Sequence, residues 1–137
     1  MPSAMDFKAI GRAFRHSCDG LRAALHERAF VQELAVIVPL SIAAWWVPAP
    51  LVERALLVAV LILILLVELL NSAIEANTDH ISPERHPLAK RAKDMGSAAV
   101  LLAIVLAGVV WTAVLWQSGG AGPSSPSASS PVPTHGQ

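Results

Sequence analysis

Residues 55–75 read ALLVAVLILILLVELLNSAIE. Every side chain from Ala55 to Val67 is apolar, and the run continues through Leu69, Leu70 and Ile74 with Glu68 in its lower part. About 20 helical residues cross about 30 Å of hydrocarbon, where the backbone must satisfy its own hydrogen bonds, so this stretch predicts a transmembrane helix. Two further stretches, 34–52 and 97–116, carry no charged side chain and predict two more spans. Pro39 removes one backbone bond from the first of these and predicts a kink, while Pro48 and Pro50 limit its end. The expected fold is an all-α membrane protein.

Composition agrees. Of 137 residues, 54% are hydrophobic and 15% charged, against about 25% charged in an average soluble chain; the mean hydropathy is +0.55. Ten basic and ten acidic side chains cancel, leaving no field for gripping a polyanion, so nucleic acid is not expected as a partner. Cys18 is the single cysteine, which excludes an internal disulfide and any multi-cysteine metal site.

Basic residues set the orientation. Lys8, Arg12, Arg15, Arg22 and Arg28 precede the first span, and Arg85, Lys90, Arg91 and Lys93 lie between the second and third, whereas the other loop has only Arg54. The positive-inside rule then puts the N-terminus and the segment 76–96 in the cytoplasm, and the C-terminus outside the cytoplasmic membrane. Trp45, Trp46 and Trp116 fall at the outer span ends, as an interfacial belt requires; Trp111 is deeper.

The division expected is therefore an N-terminal cytoplasmic segment 1–33, a three-span core 34–116 and a tail 117–137. In the first, Phe7, Ile10, Phe14, Cys18, Leu21 and Leu25 recur at helical spacing with Lys8, Arg12, Arg15, Asp19 and Arg22 largely elsewhere on the wheel. That is an amphipathic helix suited to the cytoplasmic leaflet. The tail is rich in Pro, Ser and Gly and predicts disorder.

Chemistry points to the second span. Glu68, Asn71, Ser72, Glu75 and Asp79 are spaced i, i+3, i+4, i+7, i+11 and share one helix face. A carboxylate at membrane depth costs about 2.5–3.5 kcal/mol near a span centre, so an interaction must hold Glu68 there. Pairing with a neighbouring helix or snorkelling would explain one acid; the continuing stripe asks for more. Burial disfavours the charged form, which suits Glu68 to accept a proton as a general base, whereas Glu75, nearer water, can stay ionised and bind a cation. Magnesium fits, because it takes one or two carboxylates plus phosphate oxygens and waters. The scattered histidines form no transition-metal array.

Past the second span, Lys90, Lys93, Asp94 and Ser97 recur on one face. Lys93 there could cradle phosphate, and Asp94 could accept a hydrogen bond or share the metal; a lipid anchor is the simpler reading of Lys90-Arg91-Ala92-Lys93. No GxxxxGK[ST] or GxGxxG loop and no kinase HRD or DFG signature occurs.

These residues resemble a known family. ELLNSAIEA at 68–76 and RAKDMGSAAV at 91–100, with GLRAA at 20–24 and AFVQE at 29–33, closely resemble the bacterial integral-membrane diacylglycerol kinases, over essentially residues 7–116. The resemblance implies a homotrimer with a surface helix and three spans per subunit, sharing sites between subunits, that phosphorylates diacylglycerol to phosphatidic acid from MgATP in the bacterial inner membrane. It implies Glu68 as catalytic base, Glu27 and Glu75 as magnesium ligands, and Asn71 as support, with Asp79 beside it. His16, Glu27, Glu75, Glu84, Arg85, His86, Lys93 and Asp94 would line ATP, and Arg22, Glu33, Trp46, Glu68, Ser97 and Trp111 the lipid side. The family commonly has arginine at the position of Ala9 and tyrosine at that of His16; Arg12 lies one turn further along the same face.

Two other readings stand beside it. Undecaprenol kinase is the activity of close relatives, although DMGSAA at 94–99 is more similar to the diacylglycerol type. A proton or ion conductor would also carry intramembrane glutamates, but would work without ATP and have no need of Lys93.

Overall fold

The computed structural model describes residues 7–81 and 86–120. Among these the chain is helix joined by short turns: α1 (Phe7–Ala24), α2 (Arg28–Ala43) prolonged by a 3₁₀ turn (Ala44–Trp46), α3 (Leu51–Ile81) and α4 (Pro87–Gly120). Arg28–Trp46, Leu51–Ile81 and Pro87–Gly120 are each long and apolar enough to cross a membrane. Ser82, Pro83, Glu84, Arg85 and the residues after Gly120 lie outside the described residues.

The helices do not stop where the apolar runs stop. The uncharged run 34–52 is shared between two elements: α2 starts earlier, at Arg28, its 3₁₀ turn ends at Trp46, and Leu51 and Val52 already belong to α3. Pro39 is accommodated inside α2 without ending it. Pro50 opens α3, its carbonyl accepting from Arg54 N at 3.1 Å, while Arg54 Nε donates to Ala49 O at 2.8 Å and ties down the loop between α2 and α3. Most of the segment read as the loop 76–96 is helical, since α3 continues to Ile81 and α4 begins at Pro87. Charge ends an apolar run but not a backbone ladder, and the residues of 76–81 and 88–95 include no proline or glycine to break one.

Packing is organised by α3 and α4, which form an antiparallel hairpin. Leu57, Val60, Leu61, Ile64, Glu68 and Asn71 are buried on α3, and Gly96, Val100, Ala103, Ala107 and Val114 on α4. Steps of three and four keep each set on one face. Lipid tails are as apolar as leucine, so helices in a bilayer associate through close contact, and small residues at the seam permit it. Ile37 brings α2 into the same cluster, against Val60, Leu61, Ile64, Ala103 and Ala107. A second cluster, of Ala44, Val47, Ala49, Leu57 and Val114, closes the end of the bundle where α2 meets α3. Trp111 packs against both and donates Nε1–H to the Leu57 carbonyl at 3.3 Å. The opposite faces of α2 and α4 are open, with Val36, Leu102 and Val109 each more than half exposed.

α1 has no extensive contact with the other helices. Its apolar stripe is uncovered, Phe14 being 71% exposed, which suits a helix lying in a lipid interface.

The seam predicts a steric limit. Ala103→Leu would force α3 and α4 apart and is expected to cost about 1–3 kcal/mol, read as a lowered midpoint in detergent unfolding; an unchanged midpoint would reject the close seam.

Candidate functional site

α3 holds 31 residues, about 46 Å of helix, so it outruns the hydrocarbon and carries its acidic face from lipid towards water. Glu68 and Asn71 are the buried part of that face, 4% and 8% exposed; Ser72 is half-buried, and Glu75 and Asp79 are exposed. The shared face read from the spacing is therefore one surface, graded by depth.

At this level α3, α4 and the start of α2 line an open pocket of about 340 Å³, with Glu27, Glu68, Asn71, Glu75 and Ser97 in its walls together with Ala29, Val100, Leu101 and Ile104. The elbow between α1 and α2 delivers Glu27. His26 N and Glu27 N donate to Ala23 O and Ala24 O, both at 3.0 Å, tightening the end of α1. Glu27 then turns extended (φ −83°, ψ 125°) as the N-cap residue of α2, but its side chain makes no capping bond. The carboxylate lines the pocket instead. Asn71 Nδ2 donates to Glu75 Oε1 at 3.2 Å, whereas Asn71 Oδ1 is buried with no hydrogen-bond partner.

Three acidic residues thus line one pocket that, among the described residues, no basic side chain lines. Such a set favours a bound cation, since like charges at reduced dielectric repel. Among the described residues no three Asp, Glu, His or Cys side chains group closely enough to hold a metal by themselves. A hard cation there would take at most two protein carboxylates, with water or phosphate completing its shell, which is magnesium's habit. Glu27 and Glu75 both line the pocket and carry the oxygen donors that such a cation takes.

The basic groups gather beyond the pocket. Lys93 Nζ donates to Asp79 Oδ1 at 2.5 Å, a bond from α4 to α3, and Lys90 Nζ to Asp94 Oδ2 at 2.6 Å along α4. His86 Nδ1 accepts from Leu88 N at 3.2 Å and caps α4 ahead of Pro87. Sequence reasoning missed this cap, although a polar residue before a proline at the first helical position is its usual signal. It also missed the Lys93–Asp79 bond, for which no pattern along one helix gives a signal.

A second groove, apolar and about 600 Å³, runs along α2, α3 and α4. Glu33 and Trp111 both line it, with Gln32, Ile37, Leu61 and Ile104 among its walls, and Glu33 Oε2 is buried there without a hydrogen-bond partner. Of the others grouped with these by resemblance, Glu68 and Ser97 line the acidic pocket, and Trp46 is 76% exposed in the 3₁₀ turn. His16 and Arg22 are exposed on α1, lining neither cavity, and Arg22 contacts Asp19 at 3.5 Å.

Comparison with known proteins is consistent with this arrangement. Residues 15–115 match the prokaryotic diacylglycerol kinase family. The chain is 46% identical to a diacylglycerol kinase of Escherichia coli K12 over 111 residues, which is 80% of this chain and 91% of that one. It is 48% identical over 109 residues to the diacylglycerol kinase of Pseudomonas aeruginosa (79% and 89%), and 38% identical over 111 to that of Helicobacter pylori 26695 (80% and 87%).

The Lys93–Asp79 pair is partly exposed, at 35% and 67%, and exposed pairs contribute about 0–1 kcal/mol. Asp79→Asn is therefore expected to leave the unfolding free energy within about 1 kcal/mol of wild type, and a larger loss on detergent titration would make the pair a structural clamp.

Proposed function

The chain belongs to the prokaryotic diacylglycerol kinase family, and on that premise we propose that it transfers the terminal phosphoryl group of ATP to the free hydroxyl of 1,2-diacylglycerol, yielding phosphatidic acid and ADP. The observation that carries this reading is the convergence of buried Glu68 with Glu27, Asn71 and Glu75 in one pocket at the end of the apolar seam.

Glu68 accepts the proton of the lipid hydroxyl as its oxygen attacks phosphorus. Its burial among Val100, Leu101 and Ile104 keeps bulk water from competing for the phosphoryl group. Glu27 and Glu75 would hold magnesium, which would supply charge neutralisation at the transferring phosphates. Asn71 restrains Glu75 through its amide. Lys93 exchanges Asp79 for phosphate, and Asp94, His86, Glu84, Arg85 and His16 complete the nucleotide side, Arg22 the lipid side. Phosphoryl transfer depends mainly on positioning and charge neutralisation, so carboxylate-held metal and one lysine can stand in for a phosphate loop. The acyl chains lie along the apolar groove that Glu33 and Trp111 line.

We further propose a homotrimer in the bacterial inner membrane, N-terminus cytoplasmic and C-terminus outside. The uncovered apolar faces of α2 and α4 provide the surface for neighbouring copies, and the basic residues on α1 and α4 face the cytoplasm.

Purified protein in mixed micelles should phosphorylate diacylglycerol in a magnesium- and ATP-dependent manner, faster than undecaprenol; the reverse preference would reassign the substrate, and ATP-independent ion flux would replace the kinase reading by a conductor. Glu68→Gln should insert and assemble normally while kcat falls by about 10²–10⁴-fold, and retained turnover would remove Glu68 as the base.

A further inference from the structure

We infer that Gly96 is a positioning residue for the acidic pocket: the missing side chain on α4 seats the Asn71 amide so that it holds Glu75 from α3. The inference rests on the metal-holding role proposed for Glu75.

A Cβ placed on Gly96 would overlap Asn71 Oδ1, and would lie 3.3 Å from its Cγ and 3.8 Å from its Cα. The last contact is an ordinary van der Waals distance, so the conflict is with the amide itself, which would have to turn or shift to admit any side chain at position 96. Gly96 is alone in this among the described glycines: at Gly11, Gly20, Gly108, Gly119 and Gly120 a Cβ would meet nothing within 4 Å. Backbone conformation does not account for it, because none of the described glycines has positive φ. Helix propensity opposes it too, since glycine in a helix interior is less favourable than alanine. Space is what remains, and the side chain that takes the space belongs to the pocket.

The orientation of the amide follows from its two neighbours. Nδ2 donates to Glu75 Oε1 at 3.2 Å, and Oδ1 is left buried against Gly96 with no N–H or O–H donor. Turning the amide over would set its oxygen against the carboxylate and its NH₂ against carbon. On glycine, the direction a Cβ would take is held by a hydrogen, and a Cα–H pointing at a carbonyl oxygen is a weak favourable contact. Gly96 therefore admits one amide orientation and so one donor to Glu75, which fixes one carboxylate oxygen and leaves the other turned to a ligand.

The test is metal binding, read by electron paramagnetic resonance with Mn²⁺ and a non-transferable ATP analogue, on the full-length protein in micelles. Gly96→Ala should weaken Mn²⁺ binding about 10- to 100-fold, as loss of a partner behind a metal ligand does. It should raise the magnesium concentration for half-maximal phosphorylation in parallel, with the lipid KM unchanged. In an Asn71→Ala background the overlap is gone, so adding Gly96→Ala should change Mn²⁺ binding by less than about twofold. Wild-type binding in Gly96→Ala, or an equal loss in both backgrounds, overturns the inference by making Gly96 a helix-packing residue only. Should Gly96→Ala alone not fold, folding of the Asn71→Ala/Gly96→Ala protein supports the seat, and its failure to fold overturns it. Glu75→Gln separates this from the underlying assignment: if Glu75→Gln binds Mn²⁺ as wild type does, the metal role of Glu75 fails and the inference falls with it. Loss in Glu75→Gln but not in Gly96→Ala defeats Gly96 alone.

Discussion

The seam between α3 and α4 is the constraint on which the rest of the structure depends. In a bilayer the surrounding tails compete equally well for apolar side chains, so two helices stay together only where their surfaces approach closely enough for dispersion and interhelical hydrogen bonds to outweigh lipid contact. Gly96, Ala103 and Ala107 supply that approach on α4, against Leu61, Ile64 and Asn71 on α3. The Trp111 indole closes a hydrogen bond across it to the Leu57 carbonyl. A polar donor at that depth has no water to turn to, which makes a backbone carbonyl on the facing helix its natural partner.

From the seam follows the position of the acids. The face of α3 that meets α4 is apolar through Ile64 and becomes polar at Glu68, so the packing surface runs directly into the pocket. Rigid packing above and helical overshoot below place carboxylates on a scaffold that cannot easily reshape. That suits chemistry in which positioning supplies much of the rate. The elbow at Leu25–Glu27 adds a carboxylate from a different helix, and because Glu27 does not cap α2 it is not spent on its own backbone. Of the polar hydrogen bonds at that end, Asn71 to Glu75 lies within α3 and Lys93 to Asp79 joins the two helices.

This arrangement gives physical content to the proposed kinase activity. A lipid alcohol brings its hydroxyl to the interface while its chains remain in hydrocarbon, and a nucleotide arrives from water. A site that grades from buried Glu68 to exposed Glu75 and Asp79 along one helix meets both conditions. Membership of the prokaryotic diacylglycerol kinase family is consistent with a phosphotransferase that has no phosphate loop, because its charge neutralisation can come from carboxylate-held cation and lysine.

Much of this was legible along the chain. Three apolar runs determined three spanning helices, since length and lack of charge leave the backbone no other form in lipid. The spacing from Glu68 to Asp79 determined a single polar face, since helical periodicity is local. The quoted motifs identified the family. What only the tertiary structure decided is everything that depends on which surfaces meet: Glu27 beside Glu68 and Glu75, Lys93 bonded to Asp79, Trp111 turned into the seam, and Gly96 beneath the Asn71 amide. Helix ends were also decided there, because charged side chains stop an apolar run without stopping the hydrogen-bonded backbone beneath them. Periodicity shows which residues share one helix face; contact between faces on different helices is set by packing, and no pattern within a single helix contains it.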